Sequence, residues 1–477
     1  MAGYILIAVS HIISTVIIWT GAFFIGYFIL VNTLLMMFLF VSFFAVWQYR
    51  RAVRKAGNIT NFPPVTIIIP TFNEVLVIEK TLRALLCQDY PQLEIIIVDD
   101  GSTDRTLEVL KDKFALERTH VHVEAHIPTQ SIKEFYRSRT YPNVLVVEKA
   151  NGGKYDALNC GINLTRSRIF ANMDADTILD GQAVRRMASA FVRDARVVAA
   201  GSHILVGNGC RLEGCIYRPE LPKSFILMVQ VVEYMWAFVA ERVGWAAFNG
   251  LVIISGAFAM FRKDRVLEVG GYQGRTLSED MDLVVTLHEY HLRKRLPYKI
   301  VYVPDAFAFT EAPGRLRDLA RQRIRWFQGL IGCLTIHANM FFNPVYEGIG
   351  AFFFPYLLFF KLLGPVIEVV AYIFTVYFFF QGILGVNYAY LFFAIALGYG
   401  TFLSAMAVIT ERVNYKCFYT RESLVRLLTY ALYEHLIYHY LAVVWSWQAL
   451  IGYFNLRGHP RVAGWHPAHR EGFPILP

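Results

Sequence analysis

Leu93-Glu94-Ile95-Ile96-Ile97-Val98-Asp99-Asp100-Gly101-Ser102 is a short unbroken apolar run that ends abruptly in two acids, a glycine and a serine. An amphipathic helix would space its apolar residues three or four apart, and a half-solvated strand would alternate them. A continuous Ile/Val run bounded by turn residues instead predicts a strand buried on both faces of a sheet. Val65-Thr66-Ile67-Ile68-Ile69-Pro70 repeats the pattern upstream, followed by a loop at Thr71 to Glu74 and a helix carrying Leu76, Lys80 and Leu85. Strand, helix and strand in succession over residues 63 to about 310 predict an α/β, βαβ-type parallel sheet. Ligands in such sheets sit at the carboxyl ends of the strands. Thr71, Asn73, Glu74, Asp99 and Asp100 all fall there.

A third run, Phe170-Ala171-Asn172-Met173-Asp174-Ala175-Asp176-Thr177, ends in two acids separated by one residue. If the segment is extended, Asp174 and Asp176 project to one face and Ala175 to the other. Carboxylates ~5 Å apart at an effective dielectric of about 20 repel by ~3 kcal/mol. A divalent cation with an anionic ligand would balance that charge, and hard oxygen donors favour Mg²⁺ or Mn²⁺. The competing reading is a solvated turn with two surface acids.

Composition places this body beside a membrane. The 477 residues are 56% hydrophobic and 15% aromatic, too apolar for a typical soluble protein of that length. The formal charge of +9 is carried mostly next to apolar segments, and neither zinc-finger nor RNA-platform patterns accompany it. Membrane surface and phosphate therefore explain the charge better than nucleic acid does. The six cysteines form no CxxC pair and no metal-ligand spacing with histidine.

No Asp, Glu, Lys or Arg occurs from Tyr4 to Trp47, a run long enough to cross a ~30 Å hydrocarbon core twice. The expectation is two transmembrane helices in residues 1–50, reversing near Gly21 and Gly26. A cleaved signal peptide fits poorly, because no basic region precedes the run. A basic linker (51–62) with Arg50, Arg51, Arg54 and Lys55 beside it puts the following domain, 63–335, on the cytosolic side. Apolar segments return over 348–456, near 352–381, 386–410 and 427–454, and a basic tail covers 457–477. The last segment holds Glu434, His435 and His439, groups expensive to expose to lipid, so it either lines a polar path or lies at the interface.

Within 63–335 three further stretches carry chemistry. Lys149-Ala150-Asn151-Gly152-Gly153-Lys154 brings two glycines and a lysine to a helix start, where amides and an ammonium can approach phosphate. The Walker A spacing is absent. Thr276-Leu277-Ser278-Glu279-Asp280 precedes a helical pattern and reads either as a capping box or as the seat of a carboxylate base at Asp280. His288 and His291 on that helix read as surface residues. Arg315 to Leu330 is a helix on which Gln322, Arg325 and Trp326 share one face, while Leu316, Leu319, Ala320 and Phe327 form an apolar stripe suited to a membrane surface.

Taken in order, Asp99-Asp100-Gly101, Asp174-Ala175-Asp176, Ser278-Glu279-Asp280 and Gln322-Arg323-Ile324-Arg325-Trp326 resemble the motif set of the membrane-embedded processive family 2 glycosyltransferases, which include cellulose, hyaluronan, chitin and poly-N-acetylglucosamine synthases. The resemblance implies a GT-A nucleotide-sugar transferase domain between N- and C-terminal transmembrane helices, in a multi-pass protein of the plasma (inner) membrane. It implies inverting transfer from a UDP-sugar, UDP-N-acetylglucosamine or UDP-glucose, to a growing polysaccharide, with the bilayer and an accessory membrane subunit as further partners. Thr71, Asn73, Glu74, Asp99, Asp100 and Lys154 would serve donor binding. Asp174 and Asp176 would hold Mg²⁺ or Mn²⁺ and the diphosphate, and Asp280, beside Glu279, would be the catalytic base. Trp326 would stack on the acceptor sugar, with Gln322 and Arg325 on the leaving diphosphate. Ser278 departs from the Thr or Gly usual before Glu-Asp in these synthases. A non-processive transferase acting on a lipid or polyprenyl acceptor shares the donor residues, and a transporter with a nucleotide-binding domain is a third class to be separated.

Overall fold

A computed structural model describes residues 2–55, 57, 59, 61–213, 216–415 and 420–455; the basic tail from 457 lies outside the described residues. The strands are β1 (Val65–Thr71), β2 (Leu93–Asp99), β3 (Leu116–Thr119), β4 (Ile132–Ser138), β5 (Val144–Lys149), β6 (Ile169–Met173), β7 (Thr177–Leu179), β8 (Val197–Val206), β9 (Arg211–Glu213), β10 (Ile216–Arg218), β11 (Phe258–Arg262) and β12 (Lys299–Thr310). Ten of them form one sheet in the order β3-β4-β5-β2-β1-β6-β11-β8-β12-β7, and β9 and β10 pair separately.

The two Ile/Val runs behave as their composition predicts. β1 and β2 pair in parallel with Thr71 opposite Asp99, and Ile67, Ile68, Ile69, Ile95, Ile96 and Ile97 are fully buried. At ~1.5–3 kcal/mol for each buried aliphatic side chain, these runs form a large part of the domain's drive to fold. The sheet is nevertheless mixed rather than parallel. β5, β2, β1 and β6 are mutually parallel, but β11 enters antiparallel between β6 and β8, and β7 runs antiparallel to β12. The segment from Leu116 to Tyr141 extends the sheet's edge: β3 and β4 pair antiparallel to one another, and β4 to β5.

One glycine sets where chemistry can be placed. A Cβ on Gly161 would lie 2.3 Å from Ile68 Cγ2, so the helix Lys154–Leu164 packs directly on β1. Its first residue, Lys154, is thereby brought to the carboxyl ends of the strands.

The N-terminal apolar run is one continuous helix, Ala2–Lys55, and not the expected pair. Gly21 and Gly26 lie inside it. Glycine weakens a helix by only ~1 kcal/mol, and the sequence places no proline or polar turn there to reverse the chain. Tyr388 Oη donates to Gly21 O at 3.0 Å, while further along Phe38 packs edge-on to Trp245 and Tyr49 Oη donates to Asp305 at 2.7 Å. The same helix thus touches both the C-terminal helices and the sheet domain.

Among the described residues, two helices are long and apolar enough to cross a membrane, His11–Lys55 and Val386–Asn414; Ile349–Leu362 and Gly364–Phe380 make a third only as a pair bent by 44°. In the last apolar segment the polar side chains turn toward neighbouring helices. Glu434 accepts from Ser404 at 2.9 Å, His439 meets Glu368 at 2.9 Å, and His435 meets Ala396 O at 3.0 Å.

Candidate active site

Asp174 and Asp176 follow β6, but in a turn rather than in an extended segment: Thr177 N donates to Asp174 O at 3.1 Å. Ala175 between them is buried, with its carbonyl accepting from Thr81 Oγ1 at 2.7 Å. Asp176 Oδ1 accepts from Thr310 Oγ1 at 3.2 Å. Asp174 is met by Lys154 Nζ at 2.6 Å, and the same ammonium lies 3.5 Å from Glu279. Lys154 therefore stands between the two acid motifs, not beside Thr71 and Asp99.

The glycine loop is occupied from within. Asp100, fully buried, accepts from Gly152 N at 3.0 Å, Gly153 N at 2.7 Å and Lys149 Nζ at 2.6 Å. Lys149, also fully buried, pairs with Asp156 as well. The two loop amides that the sequence offers to phosphate thus bind a protein carboxylate. Asp100 shapes the turn that presents Lys154, and Lys149 is a residue the motif reading passed over. Its only sequence signal is a lysine ending a buried strand opposite strand-end acids.

Around the β1 end, Asn73 adopts φ 56° and its Oδ1 accepts from Thr103 N at 2.8 Å and Asp104 N at 3.2 Å, which ties two loops together. Burial pushes the Asp99 carboxyl up to about 6 against its bonds to Ser102. Glu74 lines the cleft with Asp174 and Asp176, whereas Thr71, Asn73, Asp99 and Asp100 are not among its lining residues.

Asp280 opens the helix Glu279–Arg293. Its Oδ2 accepts from Gly256 N at 3.1 Å and its Oδ1 from Met281 N at 2.8 Å. Burial, then the Glu279 charge, push its carboxyl up to about 6, with Lys154 opposing. That suits a group that must take a proton near neutral pH. The capping-box alternative does not form: Thr276 Oγ1 accepts from Ser278 N at 3.0 Å, and Glu279 reaches Lys154. His288 and His291 are buried, not on the surface. His288 bonds Tyr298 at 2.7 Å and Leu251 O at 3.0 Å, and His291 bonds Leu287 O at 2.8 Å.

The helix Leu316–Ile336 brings Gln322, Arg325 and Trp326 to the same cleft. Its stripe is only partly free for lipid, because Leu319 is buried against Val229, Tyr438 and Trp445. Arg323, unassigned from sequence, lies with its guanidinium 4.2 Å from the Trp326 ring centroid. It is fixed there by Glu233 at 2.6 Å and Tyr438 at 2.9 Å.

Lys154, Asp174, Asp176, Asp280, Gln322 and Trp326 share one cleft of about 1370 Å³. This exceeds the ~300–1,000 Å³ of usual small-molecule pockets. The cleft continues past Tyr234 and Phe238 to Trp245, Leu357 and Lys361, among the apolar helices.

The donor set fits a hard divalent cation in part. Burial, and after Lys154 the neighbouring Asp176 charge, bear on Asp174 so that its carboxyl is raised, a tension that a cation relieves. Among the described residues no three His, Cys, Asp or Glu side chains cluster as a complete metal site. The remaining ligands would be water and diphosphate oxygens, the usual pattern for Mg²⁺.

Residues 63–329 match the family model described as glycosyltransferase-like family 2, and residues 274–449 match one described as chitin synthase. Poly-β-1,6-N-acetyl-D-glucosamine synthase of Staphylococcus aureus (strain COL) is 27% identical over 293 residues, covering 61% of this chain and 60% of that protein. The synthase of the same name from Staphylococcus epidermidis is 27% identical over 266 residues, covering 56% and 54%. The match thus spans just over half to three-fifths of these relatives. A solved mannosyltransferase from Pyrobaculum calidifontis, in complex with GDP-Man and Mn²⁺, aligns at 20% identity with a TM-score of 0.49, over 80% of this chain and 98% of that one.

Proposed function

The chain belongs to the glycosyltransferase-like family 2, and from that premise we propose that it is an inverting, processive β-glycosyltransferase. Its donor is a UDP-sugar, UDP-N-acetylglucosamine or UDP-glucose, and its product is a β-linked polysaccharide extruded through its own helices. It sits in the plasma (inner) membrane with the sheet domain on the cytosolic side. The observation that carries this reading is the cleft, which runs without a break from the acids past Trp326 to Trp245, Leu357 and Lys361. A single-transfer enzyme needs the first half of that path and not the second.

In this reading Asp174 and Asp176 would hold Mg²⁺ or Mn²⁺ together with the donor diphosphate, and such a cation would supply charge neutralisation for the leaving UDP. Lys154, Arg325 and Gln322 add donors on the same side. Asp280, on the other side of Lys154 from Asp174, takes the proton of the acceptor hydroxyl as that oxygen attacks the anomeric carbon, which inverts in one displacement. Trp326 offers an indole face to the acceptor sugar. Arg323 backs that ring and holds its orientation.

Membranes containing the full chain, incubated with a panel of labelled UDP-sugars, should yield polymer from one donor, sized by gel filtration and identified by linkage-specific hydrolases. A product carrying a single sugar on lipid would replace this reading with the non-processive one. UDP-sugar binding with no turnover would favour a transporter.

A further inference from the structure

His337 directly follows the helix Leu316–Ile336, is buried, and uses both ring nitrogens: Nε2 lies 2.9 Å from Asp282 and Nδ1 lies 2.9 Å from Glu289. A neutral imidazole has one N–H. Two carboxylates at hydrogen-bond distance on opposite edges of the ring are therefore both served only by the imidazolium. Asp282 and Glu289 belong to the helix that begins with Glu279 and Asp280. The two helices also touch where the chemistry lies. A Cβ on Gly329 would sit 2.1 Å from Ser278 Oγ, and one on Gly332 would sit 3.3 Å from Thr276 Cβ. Backbone contact at one end and an ion bridge at the other thus join the helix of Trp326 to the helix of Asp280.

We propose that His337 is a positioning residue, whose bridge to Asp282 and Glu289 keeps the acceptor platform Trp326 in register with Asp280 through repeated rounds of addition. The proposal rests on the roles given to Trp326 and Asp280 above.

The charged and titratable groups around the ring are few. Asp282 is shared with Arg275 at 2.8 Å, and Glu289 accepts from Asn339 at 3.0 Å and from Tyr346 Oη at 3.5 Å, with the Arg293 charge nearby. On the ring's own helix the Cys333 thiol, raised chiefly by burial, faces Asp282. Burial opposes the charge on His337, but the bonds to both carboxylates outweigh it and raise the ring above its ordinary value of about 6.5. The bridge is therefore complete below that raised value and is lost as pH rises through it.

The test uses the full chain in membranes and compares wild type, His337→Gln and Glu289→Gln for polymer elongation from pH 6 to about 10, with UDP affinity measured in parallel. Glutamine at 337 carries no charge and does not titrate. It should slow elongation by ~10–100-fold, the scale of a small misplacement of reacting groups. UDP affinity should stay within about twofold of wild type, and the alkaline fall expected of wild type should be absent. Glu289→Gln removes one of the two carboxylates at a partly exposed side chain, and should move the alkaline fall to lower pH. Unchanged elongation with the wild-type alkaline fall in both variants would overturn the proposal. So would a loss of UDP affinity in step with elongation, which marks a general structural role. A wild type that makes no polymer from any UDP-sugar defeats the underlying functional reading instead.

Discussion

Lys154 Nζ lies 2.6 Å from Asp174 Oδ1, so one ammonium bridges the turn after β6 and the helix that packs on β1. It is aimed there by a buried layer, since Asp100 fastens the amides of Gly152 and Gly153 and is itself neutralised by Lys149. Under the proposed function this ammonium would face the diphosphate of a bound UDP-sugar. Lys154→Ala should lower donor kcat/KM by ~10–100-fold, the range of a lost charge-assisted bond of ~1.5–3 kcal/mol. Initial rates over donor concentration measure it, and an unchanged kcat/KM would remove Lys154 from the donor site.

Asp176 is held by Thr310 and shares the cleft with Asp174. Activity should vanish in excess chelator and return with Mg²⁺ or Mn²⁺, and Asp176→Asn should impair turnover severely at every cation concentration tested. Full turnover in chelator would rule out the cation role of this pair.

Asp280 has its carboxyl pushed up to about 6, first by burial. In the proposed role as base this carboxyl works only when ionised, so kcat/KM should rise as pH increases through this region and level off above it. Asp280→Asn should retain UDP binding and lose transfer by ~10²-fold or more, taking the acid limb with it. Normal transfer by that variant would leave the carboxylate a merely structural part of the helix start.

Behind the site, Lys149 sits between Asp100 and Asp156 with no solvent contact. Removing one partner of a buried ion pair costs ~3–5 kcal/mol because the other charge is stranded. Lys149→Met should therefore lower thermal stability sharply, as followed by intrinsic fluorescence in detergent. Stability equal to wild type would show that the surrounding amides suffice for both acids.

The contrast between these residues explains what was legible in the sequence. The strands β1 and β2 are legible because local pattern sets them: an unbroken Ile/Val run must be buried, and the acids Asp99 and Asp100 follow it directly. The motif reading also picks out Asp174, Asp176, Asp280 and Trp326, which the fold brings to one cleft, but not the turn that holds the first two. The antiparallel entry of β11 was not legible, since strand direction depends on how far the preceding chain travels, which no local period records. The two-span reading of residues 1–50 failed because glycine permits a reversal without requiring one. Asp100 was legible as a strand-end acid but not as a loop fastener, because its partners, Gly152 and Lys149, lie some fifty residues away and meet it only once β5 lies beside β2. Arg323 and His337 escaped for the same reason. Their partners, Glu233, Tyr438, Asp282 and Glu289, come from other helices.

Replacing Trp326 tests the proposed repeated addition against single transfer. The residue is 41% exposed and lines the cleft, and the Arg323 guanidinium lies 4.2 Å from its ring centroid, pinned by Glu233 and Tyr438. A ring so supported can carry a sugar by its apolar face while leaving it free to slip forward by one unit, which directional hydrogen bonds would resist. Trp326→Ala should therefore shorten or abolish polymer while UDP affinity changes little, because Asp174, Asp176 and Lys154 are untouched. Arg323→Gln should fall between the two, since the indole remains but loses the contact that orients it, worth ~0.5–2 kcal/mol. Product length and UDP release are to be compared at equal protein level in the membrane. Polymer of unchanged length and rate from Trp326→Ala would end the platform role, whatever the fate of the donor site.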